Sequence, residues 1–461
     1  MKNVVRYVET KNLLFFLLGG AALFVLFLLA SNLSNPYFSL AFIFVPFIIF
    51  AFTNINTAYQ FLIITLFIDF YIYRFSIGVL FSAVVFASFL ITYQKLKVDD
   101  FKTPINKYLL IYLISILPSF INNASIKGSL LLFYNFIVFI LLLFSGYIVF
   151  QSKVRIERII KLFLILTAVN SIWVLAESLF FEKRAFGITG IMYVDYVGIA
   201  IVMVVIVLAL QRQKKYKYLF LFVLFALGSF ATQTRNAWFS IVITLSLLFI
   251  YFYKNSEKYN LRKKSLIRIA AGLVVFIPIL FFTVSQFNES LAQRTGQLNE
   301  LEYTFDYEGN VQNSLISRFL IWHTAYMAFS AHPITGVGVY AFPFASPTYS
   351  RIPDFLYELY VRGLTPHQTF IAIAAETGII GLTGFLILLF YSLKISFSNL
   401  KHYSANKFDQ LIFLSTWALV YIAVSMLFTD AWLWGQGIVL WAVFLSINLA
   451  AYSKKMNTAE V

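Results

Sequence analysis

Arg235, Arg318 and His367 are the residues of this sequence whose types and settings could do chemistry together. Arg235 lies in TQTRNAWF, where two apolar runs meet. A guanidinium forks two hydrogen bonds onto a phosphate, and at low dielectric it needs an anionic partner. No acid stands beside Arg235 in sequence. Either it snorkels to the membrane surface, or a ligand phosphate supplies the counter-charge. Arg318 follows Ser317 at the start of a helical pattern, NSLISRFLIWHTAYMAF. A helix N-terminus is itself an anion site. Trp322, four residues on, shares the face of Arg318, so a solvated Arg packed on an indole is the plainer role. His367 sits in LTPHQTFIAIAAETGIIGLTGF, immediately before an apolar run. Pro366 suits the first turn of a helix, so His367 is expected on a fixed helix start at the water–membrane boundary. Gly378, Gly381 and Gly384 would let another helix approach closely.

Two arginines, one histidine and aromatic surface suggest transfer chemistry on a phosphorylated lipid. The arginines would hold a pyrophosphate and compensate its charge as it leaves. The histidine would take the proton of an attacking hydroxyl. Trp322, Tyr326, Tyr340, Phe342 and Phe344 could stack on sugar faces. His323 is a possible second participant, and His332 before Pro333 reads as a helix stop. Glu300, Glu302, Asp306 and Glu308 crowd one stretch, but their spacing fits no calcium loop and reads as a solvated acidic loop. No metal and no cofactor are therefore expected. Glu177 and Asp69 fall near span ends without an evident partner. Glu376, nine residues beyond His367, falls on the opposite helix face and is not expected to orient it. The chain has no Cys, hence no thiolate nucleophile or disulfide framework.

These residues need a membrane scaffold to position them. Of the 461 residues, 61% are apolar and only 12% charged. That composition excludes a soluble enzyme, a disordered chain and a nucleic-acid module, and it assigns the +15 net charge to membrane topology. The fold expected is an all-α integral membrane protein with about 12–14 transmembrane helices. Spans are expected near 13–31, 37–52, 58–73, 75–93, 107–121, 128–150, 159–181, 191–210, 217–233, 236–253, 266–285, 369–392, 410–428 and 432–450. With both termini cytoplasmic, 26 of the 35 Lys and Arg fall in inside segments, as the positive-inside rule requires. Three regions result: N-terminal transmembrane helices over 1–285, one large extracytoplasmic loop with short helices over 286–368, and C-terminal transmembrane helices over 369–461. Within the loop, Ser317 to Ala331 reads as an aromatic-rich helix. Gly336, Gly338, Pro343 and Pro347 then give a turn-rich stretch.

The stretch SRFLIWHTAYMAFSAHPITGVGVYAF, followed by PHQTFIAIAAETGIIGLTGF, resembles the core of the O-antigen ligase/polymerase superfamily. That core runs Ser-Arg, a Trp, His-Pro-x-x-Gly-x-Gly, then His-Asn-x-x-Leu leading into Glu-x-Gly-x-x-Gly. TQTRNAW resembles the upstream Arg motif of the same superfamily. Gln368 stands where the superfamily usually has Asn, and Phe370-Ile371 near its usual Leu. The matching motifs lie between 232 and 384.

The resemblance implies a GT-C-type glycosyltransferase, metal-independent and inverting, which takes a glycan from undecaprenyl pyrophosphate on the outer face of the bacterial inner membrane. It implies pyrophosphate binding by Arg235 and Arg318, and His367 as the base. The implied partners are the lipid-linked glycan, a lipid A–core or other glycan acceptor, and membrane lipids, with no nucleic acid and an active site facing the periplasm. O-antigen ligase is the leading expectation. A polymerase, whose acceptor is another lipid-linked repeat, is the near alternative, followed by a protein-glycosylating ligase. A polysaccharide transporter without chemistry is the alternative from a different class. Transporters usually carry ionisable residues at the bilayer midplane, whereas those singled out here gather at the outer boundary.

Overall fold

The computed structural model describes residues 48–272 and 314–459, apart from 69–70, 73–74, 182–184, 211–214, 265, 269–270, 402, 404–405, 431–432 and 434. Its helices are α1 (Ile55–Leu66), α2 (Ile77–Thr92), α3 (Asn106–Ile116), α4 (Ile126–Val149), α5 (Lys153–Phe181), α6 (Tyr193–Leu210), α7 (Lys215–Ala231) and α8 (Arg235–Lys254). After the undescribed stretch come α9 (Ser314–Ala331), α10 (Phe342–Tyr349), α11 (Asp354–Tyr360), α12 (Thr369–Leu400), α13 (Lys407–Ser425) and α14 (Gly435–Ala459). A two-residue antiparallel ladder, Tyr71–Ile72 against Phe75–Ser76, joins α1 to α2.

Seven described helices are long and apolar enough to cross a membrane, and four shorter apolar ones accompany them. The protein is an all-α, multi-pass membrane protein. These eleven helices coincide with eleven of the expected spans. The expected spans 13–31, 37–52 and 266–285 lie wholly or largely outside the described residues, as does the acidic stretch from Glu300 to Glu308. The expected span 58–73 is shorter in fact, because α1 ends at Leu66 and the chain turns into the small ladder.

Side chains explain the layering. α6 and α14 are apolar on every face, and such helices belong inside a bundle. Both are almost wholly buried, with α13 between them and α4 against α14. Polar side chains then fix the C-terminal helices to one another. Thr416 Oγ1 donates to Asn448 Oδ1 (2.8 Å), Asn448 Nδ2 to Ser415 Oγ (2.9 Å), and Asn399 Nδ2 to the Asn448 carbonyl (2.9 Å). In an apolar surround such bonds hold helices in register. They link α12, α13 and α14, which carry the site at the start of α12, the end of α13 and the start of α14.

α12 is broken at Gly378 (φ 62°, ψ −168°). The turn-rich stretch after α9 lodges in the break. Val337 N donates to the Ala375 carbonyl (3.1 Å), Gly338 N to the Glu376 carbonyl (2.9 Å), and Ile379 N to the Pro333 carbonyl (2.8 Å). Main chains touch here, so a Cβ on Gly378 would lie 2.2 Å from the Ile334 oxygen, and one on Gly336 2.3 Å from the Glu376 oxygen. This corrects the expectation for the glycines. Gly378 admits loop backbone, and Gly381 faces Thr377 of its own helix; Gly384 is the one that admits a neighbouring helix, at Ser115 and Tyr112 of α3.

Candidate active site

His367 lies two residues before α12, and Gln368 caps that helix by accepting from Ile371 N. Gln can fill this place because its side-chain oxygen serves the same capping purpose as Asn's. The helix therefore starts after His367, and Pro366 is not in its first turn. His367 is held instead by its left-handed backbone (φ 52°) and by Asp430. Its backbone N–H donates to Asp430 Oδ2 (3.3 Å), and its Nδ1 stands 3.9 Å from Asp430 Oδ1. The second distance is an ion-pair separation, longer than a hydrogen bond. The histidine side chain is 42% exposed and the aspartate 10%. Burial alone would raise the Asp430 carboxyl, but the neighbouring His367 and the Thr365 hydroxyl bring it below the ordinary carboxylate range.

Arg318 is the fifth residue of α9, which starts at Ser314. It stands in the second turn, past the free N–H groups, so the anion site expected from the helix terminus does not involve it. Its Nη1 donates to the Phe428 carbonyl (3.4 Å). Burial lowers its pKa, and the nearby charge of Asp430 opposes that shift. Arg235 is the first residue of α8, four residues after α7 ends at Ala231. Asn236, beside it, donates from Nδ2 to the same Phe428 carbonyl (3.0 Å).

The segment Met426–Asp430 therefore gathers the three motifs. Thr369 adds two more ties to it, N–H to the Met426 carbonyl (3.1 Å) and Oγ1 to the Thr429 carbonyl (2.7 Å). The sequence reading did not single out this segment. A signal was available: Asp430 is a carboxylate between two apolar runs, on the side that the sequence reading gave to Arg235, Arg318 and His367.

His367 and Asp430 border a cavity of about 940 Å³. Helices α4, α6, α8 and α14 contribute Asn135, Asp195, Asn236 and Gln436 to its wall, and α13 contributes Ser425. Tyr340 and Phe344 line it, as expected of sugar-stacking rings. Phe342 does not, because its ring is fully buried among Ile321, Ala325 and Tyr357. Trp322 is half-buried and donates from Nε1 to the Pro366 carbonyl (2.8 Å), which steadies the approach to His367. Tyr326 is exposed on α9. His332 pairs with the Tyr349 hydroxyl (2.7 Å), and His323 is exposed. Glu376 accepts from Tyr340 N (2.9 Å) and Phe342 N (3.4 Å), so it fixes the loop and does not orient His367. Glu177 accepts from Gly187 N (3.0 Å), a structural tie; Asp69 lies outside the described residues.

Residues 220–386 match the family model described as O-antigen ligase. That segment is an O-antigen ligase-like domain. No curated protein matches the chain. The O-antigen ligase domain contains Arg235, Arg318 and His367, and the match implies a glycosyltransferase-like enzyme with lipid-linked glycan and acceptor partners in general. Asn135 on α4, Asp195 on α6 and Asp430 after α13 lie outside the matched residues and complete the cavity around the O-antigen ligase domain.

Proposed function

We propose that this protein transfers a glycan from undecaprenyl pyrophosphate to an acceptor hydroxyl at the outer face of the bacterial inner membrane, as an inverting, metal-independent O-antigen ligase with lipid A–core as acceptor. The observation that supports this reading best is the meeting of three motifs of the O-antigen ligase domain at Met426–Asp430, beside a cavity large enough for sugar rings. Arg235 and Arg318 bind the pyrophosphate, meeting with two guanidinium groups the charge that a metal would otherwise meet. His367 takes the proton of the acceptor hydroxyl as its oxygen attacks the anomeric carbon. The bond from that carbon to the pyrophosphate oxygen breaks in the same displacement, and its electron pair leaves with the pyrophosphate. Asp430 orients the imidazole and favours the imidazolium that forms. Trp322, Tyr326, Tyr340 and Phe344 are the aromatic surfaces for glycan.

Purified protein, a lipid-linked glycan and lipid A–core test the reading. Glycan on lipid A–core is the result expected. Chain growth from the lipid-linked glycan alone would reassign the protein as a polymerase. Glycan transport without any transfer would refute the reading. The placement of 286–368 outside the cytoplasm is tested separately. Ser330 is exposed on α9 and the chain has no native Cys. A Ser330→Cys variant should react with an impermeant thiol reagent in intact spheroplasts; reaction only after permeabilisation would refute that topology.

A further inference from the structure

Two buried polar side chains in the cavity wall are unused by the chemistry above. Asn135 is nine residues into α4, about 14 Å along the helix from its start at 1.5 Å per residue. It is only 5% exposed, lines the cavity, and makes no hydrogen bond to a described residue. Asp195, in the first turn of α6, is 6% exposed and lines the same cavity. Its Oδ1 accepts from Ser425 Oγ (2.7 Å), while Oδ2 has no hydrogen bond to a described residue. Both side chains therefore offer hydrogen-bonding atoms to the cavity that the described protein does not use.

A ligand that fits must give hydroxyl donors to the carboxylate and both donors and acceptors to the amide. A lipid tail would leave both side chains unsatisfied. An anionic group would meet the charge of Asp195, and the described arginine lining the cavity, Arg362, is on another element. Tyr340 and Phe344 add aromatic faces to the wall. We propose that Asn135 and Asp195 form a subsite for an uncharged, hydroxyl-rich sugar ring, belonging to the transferred glycan or to the acceptor. The subsite rests on the proposed glycosyl transfer for its substrate, though its ligand chemistry can be tested without turnover.

Asn135→Leu and Asp195→Asn in the full chain separate binding from structure. KM is measured for a lipid-linked neutral hexose donor and for a neutral hexose acceptor, each against a matched hexuronate. Thermal unfolding is followed with and without a neutral hexose oligosaccharide. Asn135→Leu should raise one KM by at least about tenfold, and the substrate affected tells which sugar occupies the subsite. The unfolding midpoint of this variant should not fall, because no described protein bond is lost. The oligosaccharide should raise the midpoint of the wild type and not that of Asn135→Leu. Asp195→Asn should narrow the preference for neutral over hexuronate sugar at least threefold. The subsite is refuted if both KM values of Asn135→Leu stay within twofold of wild type, if that variant misfolds or loses stability, or if Asp195→Asn leaves the preference unchanged. Should the wild type transfer no glycan at all, the proposed function fails, and oligosaccharide protection still decides the subsite.

Discussion

His367 and Asp430 meet at two points, a backbone N–H on Oδ2 at 3.3 Å and a ring nitrogen 3.9 Å from Oδ1. The aspartate thus holds the main chain of the histidine as well as facing its ring. In Asp430→Asn the carboxylate that holds the main chain and faces the ring is gone, so kcat should drop. At 3.9 Å the drop should fall short of the roughly 10⁴-fold seen when a triad aspartate at hydrogen-bond distance is changed to Asn. Wild-type kcat in Asp430→Asn would remove Asp430 from the mechanism.

The same carboxylate makes a statement about stability. Its folded pKa lies below its unfolded value, so its contribution is complete above about 3.9 and is lost as pH falls through the folded value. Unfolding midpoints of wild type and Asp430→Asn should therefore differ at pH 5. The gap should close only in stronger acid. A gap that closes near pH 6 would contradict this sign.

Replacing the base should cut turnover by roughly 10²–10⁴-fold while donor binding persists. His367→Ala tests the loss, and His367→Gln, which keeps hydrogen bonding without basicity, should not rescue it. His367→Asn is the cleaner variant, because Asn tolerates the left-handed backbone at φ 52°. His323→Ala is the control on the exposed face of α9. Wild-type rates for His367→Gln, or greater damage from His323→Ala, would mean the base is another histidine.

Arg235→Ala and Arg318→Ala should each weaken lipid-donor use by about 10- to 100-fold, the scale of a hydrogen bond to a charged group. Lys variants should also be impaired, because the bidentate fork is lost while the charge remains. Chelators should leave turnover unchanged. Wild-type kinetics in both Ala variants, or an EDTA-sensitive rate restored by Mg²⁺, would overturn the assignment of pyrophosphate to these arginines alone.

The helices were legible in sequence because apolar run length reports a span directly. His367, Arg235 and Arg318 were legible as candidates because their residue types are scarce away from the basic loops. Asp430, Asn135 and Asp195 were not, for a physical reason. Each stands in or beside an apolar helix far from the motifs in sequence, and only packing brings α4, α6 and α13 to α12. Phe342 was misjudged because ring type does not tell which side of a short helix faces the core. Arg318 was misplaced on its helix because the chain is already helical at Ser314, ahead of the Ser317 that the sequence offers as a start.

Gly378→Ala should lower the unfolding midpoint, since the left-handed backbone alone costs about 1–2 kcal/mol with a side chain and the Ile334 oxygen adds a clash. A midpoint equal to wild type would mean the break in α12 can be healed cheaply.

That break also bears on traffic. A loop lying over a membrane enzyme is ordinarily free to lift as a lid. Here residues 333–340 are stitched into a transmembrane helix by Ile379, Ala375 and both the backbone and side chain of Glu376. Lifting them would sever all of these bonds together and leave a buried carboxylate bare. This part of the loop is a fixed bank, and a substrate entering or leaving the cavity must cross at some other point along its rim.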